Sequence, residues 1–517
     1  MKLVIVHYHL RPGGIRRVIE LATPFLLQRL GHVTTVELAC GEAADEKWNQ
    51  TFARLVAPAK LNLTVAPALG YFSEQKKSPA RIRAEIAAAL TKLLADHDCL
   101  VWAHNLGIGR NLLLTRELTR ACAARGITLI SHHHDWWFDN RWLRWPEIRR
   151  SGFPTLASVA ETIFPNAPTV RHAAINHEEA ALLARHLPKT SAWLPNLATR
   201  HETPKPPRVR FARQWLQQRL VTRTAPVWIL PCRLLRRKNV AEALLLTRWL
   251  RPDAWLVTTG GASSADEAAY FKKLNRAAQQ HHWRLRLGIL QGDEKAKPTV
   301  AELLAASEAV LLTSIQEGFG LPYLEAAAAG RPLIARHLPN IAPDLHQFGF
   351  RFPQAYDEIL VRPELFDWPA ERARQQKLFT RWKKNLPPAL RRIVGTPALL
   401  AAKNSPTAVP FSRLTLTAQL EVLAQPARHS WELCAPLNPF LQTWQRRARA
   451  GRLQTTRWPR TAASWLSGET YADRIVALAQ PPASAKKTLN APRVQADFFG
   501  KKLCPANLYP LLWATET

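Results

Sequence analysis

Ala309-Val310-Leu311-Leu312-Thr313-Ser314-Ile315-Gln316-Glu317-Gly318-Phe319-Gly320-Leu321-Pro322-Tyr323-Leu324-Glu325 passes from a short apolar run through a glycine-punctuated turn into a helical segment. The run Ala309–Thr313 lacks polar alternation, which is how a strand buried on both faces of a parallel sheet reads. Gly318 and Gly320 allow close backbone approach, and Pro322 suits a first helical turn, where its missing N–H has no partner to lose. Leu321–Ala329 then reads as a helix closed by Gly330, and Pro332–Ala335 as the next strand. Strand, turn, helix and strand in this order set the expectation of an α/β fold.

Upstream, the same alternation predicts helices at Phe211–Leu220, Val240–Leu250 and Val300–Ala306. Strands are predicted at Val227–Leu230, at Ala254–Thr258 running into Gly260-Gly261, and at Leu285–Ile289. The segment Pro204-Lys205-Pro206-Pro207 is linker-like. Before it lies another series, beginning with the strand Lys2–His7, the turn Pro12-Gly13-Gly14, the helix Ile15–Leu30 closed by Gly31, and the strand Val33–Leu38. It continues with helices near Ala80–Leu94 and Asn111–Arg125 and strands at Cys99–Ala103 and Ile127–Ser131. Two successive α/β units joined by a Pro-rich linker predict two doubly wound parallel-sheet domains facing a cleft. From about Phe350 the pattern weakens to helical pieces, Ala370–Trp382, Leu414–Leu423, Phe440–Ala448 and Thr470–Ala479, with an apolar stretch at Leu508–Trp513.

The 517 residues exceed what one core usually organises, and 47% hydrophobic with 21% charged residues is a globular composition. No window approaches the ~18 uninterrupted apolar residues of a membrane-spanning helix. The run Leu3–Val6 is too short for the apolar core of a signal peptide, so a cytoplasmic location is expected. Six cysteines, Cys40, Cys99, Cys122, Cys232, Cys434 and Cys504, lie far apart and form neither a C-x-x-C pair nor a disulfide framework. Against 39 acidic residues stand 71 basic ones, a net charge of +32, which attracts polyanions: nucleic acid, acidic lipid headgroups or a phosphorylated substrate. Compositional drift gives the same number, so charge alone selects no partner.

Four features carry chemistry. Glu317 sits at the mouth of the glycine turn and Glu325 about one turn into the following helix, so both can face one cleft. The helix start itself is a natural anion site, although a plain strand-to-helix turn with Glu317 favouring the dipole reads similarly. In Pro231-Cys232-Arg233-Leu234-Leu235-Arg236-Arg237-Lys238-Asn239, directly after a strand, Arg233 and Lys238 bracket a turn that suits a diphosphate. Arg236 and Arg237 read as solvated, and a basic surface loop is the alternative for the whole run. In Ser131-His132-His133-His134-Asp135, an extended backbone puts His132 and His134 on one face and His133 on the other. A His-x-His pair can bind zinc, but no further Cys/His cluster completes a site, so a hydrogen-bonding or acid/base histidine is expected, with a packed core histidine as the alternative. Gly13-Gly14 lacks the third glycine of a dinucleotide fingerprint.

In order along the chain, His7–Gly14, Gly31-His32-Val33, His134-Asp135, Pro195-Asn196, Arg233 to Lys238 and Glu317-Gly318-Phe319-Gly320-Leu321-Pro322 with Glu325 resemble glycosyltransferase family 4. That family has the GT-B fold and an E-x7-E motif. The resemblance covers about residues 1–340 and resumes at Thr470–Ala479, which is similar to the family's helix crossing back to the N-terminal domain. It implies an N-terminal Rossmann-like domain over 1–198 on the acceptor side and a donor domain over 205–345. A helical extension over 346–464 without counterpart, a crossing helix over 465–482 and a tail over 483–517 complete the chain.

By the same resemblance, Arg233 and Lys238, with Gly318, Phe319 and Gly320, hold the diphosphate of a nucleotide-sugar donor. Glu325 accepts from the ribose hydroxyls, Glu317 and His134 act at the donor sugar, and Gly13 and Gly14 let the backbone approach donor or acceptor. Leu197 stands where the family has glycine after Pro-Asn. No D-x-D cluster stands at the carboxyl end of an expected strand, so fixed cations and helix amides are expected to replace a metal, and no cofactor is expected.

The reading is therefore a retaining, metal-independent hexosyltransferase acting on a saccharide, a lipid-linked glycan or a small polyol or acid, with peripheral contact to the anionic inner face of a membrane. Two alternatives remain. One keeps the fold as a sugar-nucleotide epimerase or phosphorylase. The other is a non-enzymatic basic module for nucleic acid or anionic membrane; it requires clustered aromatic–basic motifs, and Trp142, Trp145 and Trp382 are scattered, so nucleic acid is not expected.

Overall fold

The computed structural model describes residues 1–513 except 140–141, 199–203, 223, 263–264, 293–295, 403–404 and 482–488. The expected boundary between 198 and 205 and parts of the tail 483–517 therefore lie outside the described residues. The chain divides into two units, Met1–Ala198 with Asn385–Val394 and Thr461–Leu503, and Thr199–Lys384 with Gly395–Arg460 and Cys504–Thr517.

In the first unit, β1 (Lys2–Val6), β2 (Thr35–Cys40), β3 (Lys60–Val65), β4 (Cys99–His104), β5 (Thr128–His133), β6 (Val170–Ala174) and β7 (Ser191–Trp193) form one sheet ordered β3-β2-β1-β4-β5-β6-β7. All its pairings are parallel. The order reverses between β1 and β4, and ligands of such sheets bind beyond the carboxyl ends of the strands at that switch. The helix Gly14–Leu30 turns Val18, Ile19, Ala22 and Leu26 inward and ends at Gly31, whose φ of 68° permits the reversal. The helix Gly468–Ala479 contributes Tyr471, Ala472 and Ile475 to the same core. A Cβ on Gly468 would overlap the Phe25 ring, so only glycine allows this approach.

β5 runs two residues beyond the expected Ile127–Ser131. Its neighbours explain why: His132 pairs with both β4 and β6, and His133 pairs with β6, so backbone pairing on two sides overrides the polar look of imidazole. The edge strands β3 and β7 and the helices Glu46–Val56 and Ala491–Lys502 are additional to the expected elements; the two helices open on the capping residues Asp45 and Asn490, whose side chains accept from the backbone N–H of Trp48 and Arg493.

In the second unit, β8 (Val227–Leu230), β9 (Trp255–Thr258), β10 (Leu285–Arg286), β11 (Ala309–Leu312), β12 (Leu333–Arg336) and β13 (Gln354–Tyr356) form a parallel sheet ordered β10-β9-β8-β11-β12-β13. The two sheets with their covering helices make a pair of Rossmann-like α/β units.

The helix Val240–Leu250 is buried except at Arg248, because a third layer covers the side that the sheet does not. That layer comes from residues beyond 346. Leu416, Val422, Leu441 and Trp444 share a core with Leu244 and Trp249, and the Trp249 indole N–H donates to Ser430 Oγ at 3.0 Å. Glu242 inside this helix accepts from Arg336 at 2.6 Å, Asn239 at 2.8 Å and Tyr356 at 2.5 Å; a buried carboxylate without such partners would be strongly destabilising. The extension, expected to be mainly helical, is so, and it also supplies a sixth strand, β13, and a short antiparallel pair, β14 (Leu360–Val361) and β15 (Val409–Pro410). No helix among the described residues is long and apolar enough to cross a membrane.

Candidate active site

In the second unit the loops after β8 and β11 are tied together. Ile315 N–H donates to Arg237 O at 2.8 Å, and Thr313 Oγ1 donates to Lys238 O at 3.0 Å. These bonds bring Lys238 and Glu317 into a buried ion pair, and Arg237 Nη1 adds a second cation 2.6 Å from Glu317 Oε2. Burial alone would raise the Glu317 carboxyl, but the charges of Arg237 and Lys238 outweigh it and hold it at about 2. Burial lowers the Lys238 ammonium against the pull of Glu317, and it raises Glu325 against the pull of Lys238. Lys238 thus acts electrostatically on both carboxylates of the E-x7-E segment.

Arg233 is exposed at the same loop, its backbone close beside Gly260: a Cβ there would meet Arg233 Cα at 3.2 Å. Gly320 has φ 78° and caps the helix Leu321–Ala328, and a Cβ there would meet the Tyr323 ring at 2.8 Å. The Phe319 side chain is buried, so only its backbone is available to an anion.

The expectation that Arg236 and Arg237 are solvated is corrected. Arg237 holds Glu317 and the carbonyl of Gln316, while Arg236 receives Glu267 on its backbone N–H at 2.9 Å and pairs with it through Nε. Sequence spacing shows basic residues in a row but not which carboxylates fold against them.

In the first unit, Gly13 and Gly14 lie at the start of the helix Gly14–Leu30, and the position of a Cβ on Gly14 meets nothing within 4 Å. His134 follows β5. Its N–H and that of Asp135 both donate to Asn105 Oδ1, at 2.7 and 3.0 Å. Asn105 adopts φ 60° and opens the turn Leu106–Ile108. Gly107 is required beneath it, since a Cβ would overlap Trp136 and His133. The pattern His104-Asn105-Leu106-Gly107-Ile108-Gly109 was the missed signal: a polar pair and two glycines directly after a buried strand.

His132 and His134 do share a side, with ring centroids 4.2 Å apart, while His133 bonds His172 at 3.0 Å and stacks on Trp136. The sequence shows no third ligand beside them; the sheet supplies one. His104 Nδ1 lies 3.1 Å from His134 Nε2, and His104, His132 and His134 form a possible metal-ligand group. Burial lowers all three imidazoles far below their ordinary value, His134 to about 3, so each is neutral near pH 7.

Residues 213–347, which include both loops of the second unit, match the family described as "Glycosyl transferases group 1". The chain is thus similar to group 1 glycosyltransferases across the segment that carries Arg233, Lys238, Glu317 and Glu325. A mannosylglucosyl-3-phosphoglycerate synthase of Petrotoga mobilis (strain DSM 10674 / SJ95) is 24% identical over 350 residues, 66% of this chain, and the chain spans 65% of that relative's length. Among solved structures, Anabaena Alr3699/HepE in complex with UDP-glucose is similar over 87% of this chain and 98% of its own, with 15% identity and a TM-score of 0.47. WaaG, a glycosyltransferase involved in lipopolysaccharide biosynthesis, is similar over 67% of this chain and 84% of its own, with 16% identity and a TM-score of 0.45.

Proposed function

We propose that the protein is a retaining, metal-independent glycosyltransferase of the family 4 type that moves a hexose from a nucleotide-diphosphate sugar. The observation that carries this reading is the coupling of Glu317 to Lys238 and Arg237, with Glu325 on the next helix, inside the segment similar to group 1 glycosyltransferases. Arg233 and Lys238, with the backbone of Gly318, Phe319 and Gly320, bind the donor diphosphate and stabilise the charge that builds as the sugar–oxygen bond breaks. Glu325 accepts from the ribose hydroxyls, Glu317 stands beside the donor sugar, and Gly13 and Gly14 admit donor or acceptor. The acceptor hydroxyl attacks from the face the diphosphate leaves, which retains configuration.

The Petrotoga relative's name contains 3-phosphoglycerate, a small anionic acid. Together with a net charge of +32, that favours an anionic acceptor, and the same charge supports peripheral contact with anionic membrane.

The test is thermal shift with UDP, GDP, ADP and their sugars, since a ligand at 100 times its dissociation constant stabilises by ~2.7 kcal/mol. Glu325→Ala should erase most of the shift of the best ligand. Loss of a charged hydrogen-bond partner costs roughly 1.5–3 kcal/mol, a ten- to hundredfold weaker donor. Unchanged donor affinity in a folded Glu325→Ala variant removes the ribose role.

His134→Ala should lower kcat more than it raises KM, by roughly tenfold or more, because a neutral imidazole at the reacting sugar makes its best hydrogen bond in the transition state. A rise in KM with kcat unchanged would place His134 in ground-state binding instead. His133 makes a poor control, since cutting it also removes the stack with Trp136.

A further inference from the structure

The strand register of the first unit explains why three imidazoles meet. His104 ends β4 and is paired directly with His132 of β5, and His134 follows two residues later on the same side. Ring centroids are 5.4 Å apart for His104–His132 and 5.3 Å for His104–His134. One nitrogen of each ring lies within 4.8 Å of those of the other two. Two nitrogens bound to one tetrahedral zinc at about 2.0–2.1 Å stand roughly 3.3–3.4 Å apart. The 3.1 Å between His104 Nδ1 and His134 Nε2 is already close to that spacing, and the third ring needs a shift on the order of 1 Å.

The surroundings suit ligation. The Tyr471 hydroxyl lies 3.3 Å from His132 Nδ1 and orients that ring, as outer-shell partners of metal-binding histidines do. Nε2 of His132, opposite the nitrogen that faces Tyr471, is buried without a hydrogen-bond partner among the described residues, so mutual hydrogen bonding does not satisfy the cluster. All three residues are buried, His104 and His132 completely and His134 to within 8% exposure, so His134 lies nearest to solvent.

We propose that His104, His132 and His134 bind one zinc-class divalent transition-metal ion, and that its occupation withholds His134 from the transferred sugar. An all-imidazole donor set selects zinc, copper, nickel or cobalt over magnesium and calcium, which require oxygen ligands. Three protein ligands leave a fourth position for water or a sugar hydroxyl. The ion is an inhibitor in this scheme, so transfer itself stays metal-independent. The ligation stands on geometry alone, and the inhibition rests on the proposed glycosyltransferase reading.

The test uses the full chain and cobalt(II) alone, followed by visible absorption, because a tetrahedral cobalt site absorbs far more strongly than the aqueous ion. Wild type should develop bands that saturate at one cobalt per chain and vanish on adding zinc. His104→Ala and His132→Ala should lose the bands, and Tyr471→Phe should weaken binding about ten- to hundredfold. His132→Cys keeps a ligand and should add a near-ultraviolet sulfur-to-cobalt band, an outcome that misfolding cannot mimic. Bands no stronger than those of the aqueous ion in wild type, or bands unchanged in both alanine variants, would overturn the site and leave three packed rings.

In the transfer assay, zinc should slow wild type, while His132→Ala, compared with its own zinc-free rate, should be at least tenfold less sensitive. Equal sensitivity overturns the inhibitory role. Intact cobalt bands with no transfer to any acceptor would sink the glycosyltransferase reading and leave the metal site standing.

Discussion

Lowering the pH from 7 to 5 should destabilise the first unit by several kcal/mol. Burial lowers His7 and His134 to about 3 and His172 to about 4, and it puts His104, His132 and His133 well below their ordinary value of 6.5. The unfolded chain binds protons on these rings as pH falls through 6.5, whereas the folded chain does so only near the lowered values. Between those limits the unfolded state holds more protons, so stability rises with pH up to about 6.5 and is lost below it. A histidine moved to about 3 therefore costs about 2 kcal/mol at pH 5, from 1.36 kcal/mol per pH unit.

The rings interact and do not titrate independently, so the sum over the cluster is a ceiling. Even part of that sum matters to a domain whose total stability is about 5–15 kcal/mol. Glu317 does not contribute in this window: its lowered carboxyl holds its stabilisation until pH falls from its ordinary 4.5 towards about 2. Denaturant midpoints at pH 7, 6 and 5, read by tryptophan fluorescence, measure the effect. A midpoint that does not move between pH 7 and 5 would mean that the rings are not held neutral by burial.

Arg233→Ala should slow transfer by about 10²–10³ with the fold intact, and the wild-type enzyme should survive thorough chelation by EDTA. Arg233 is exposed and braces no core, so its removal subtracts counter-charge from the departing diphosphate and little else. Lys238→Ala is a poorer probe. It strips one of two cations from a buried Glu317, and breaking a buried pair costs about 3–5 kcal/mol, so lost activity there mixes chemistry with folding. Arg237→Ala should also lose activity, because its guanidinium fixes Glu317. Activity abolished by chelation, with Arg233→Ala tolerated, would move the chemistry to the imidazole cluster of the first unit.

The alternation of apolar runs with glycine-closed helices is a local property, and it was enough to place β1, β8, β11 and the helices Gly14–Leu30 and Val240–Leu250 to within a residue or two. The Glu317–Glu325 segment was legible for the same reason: turn glycines and a helix-starting proline act within a few residues of themselves.

What the sequence alone determined was two doubly wound α/β units and the loops that end their strands. Partners distant in the chain were decided only by the tertiary structure. Arg237 looks like any surface arginine until the β11 loop brings Glu317 to it from 80 residues away. His104 has no visible tie to His134, 30 residues on, until β4 and β5 pair in register. Residues beyond 346 read as an appendage because their apolar positions match a face they do not own, that of the helix Val240–Leu250. Ion pairs, ligand clusters and shared cores depend on which surfaces meet in three dimensions, and local periodicity carries no term for that.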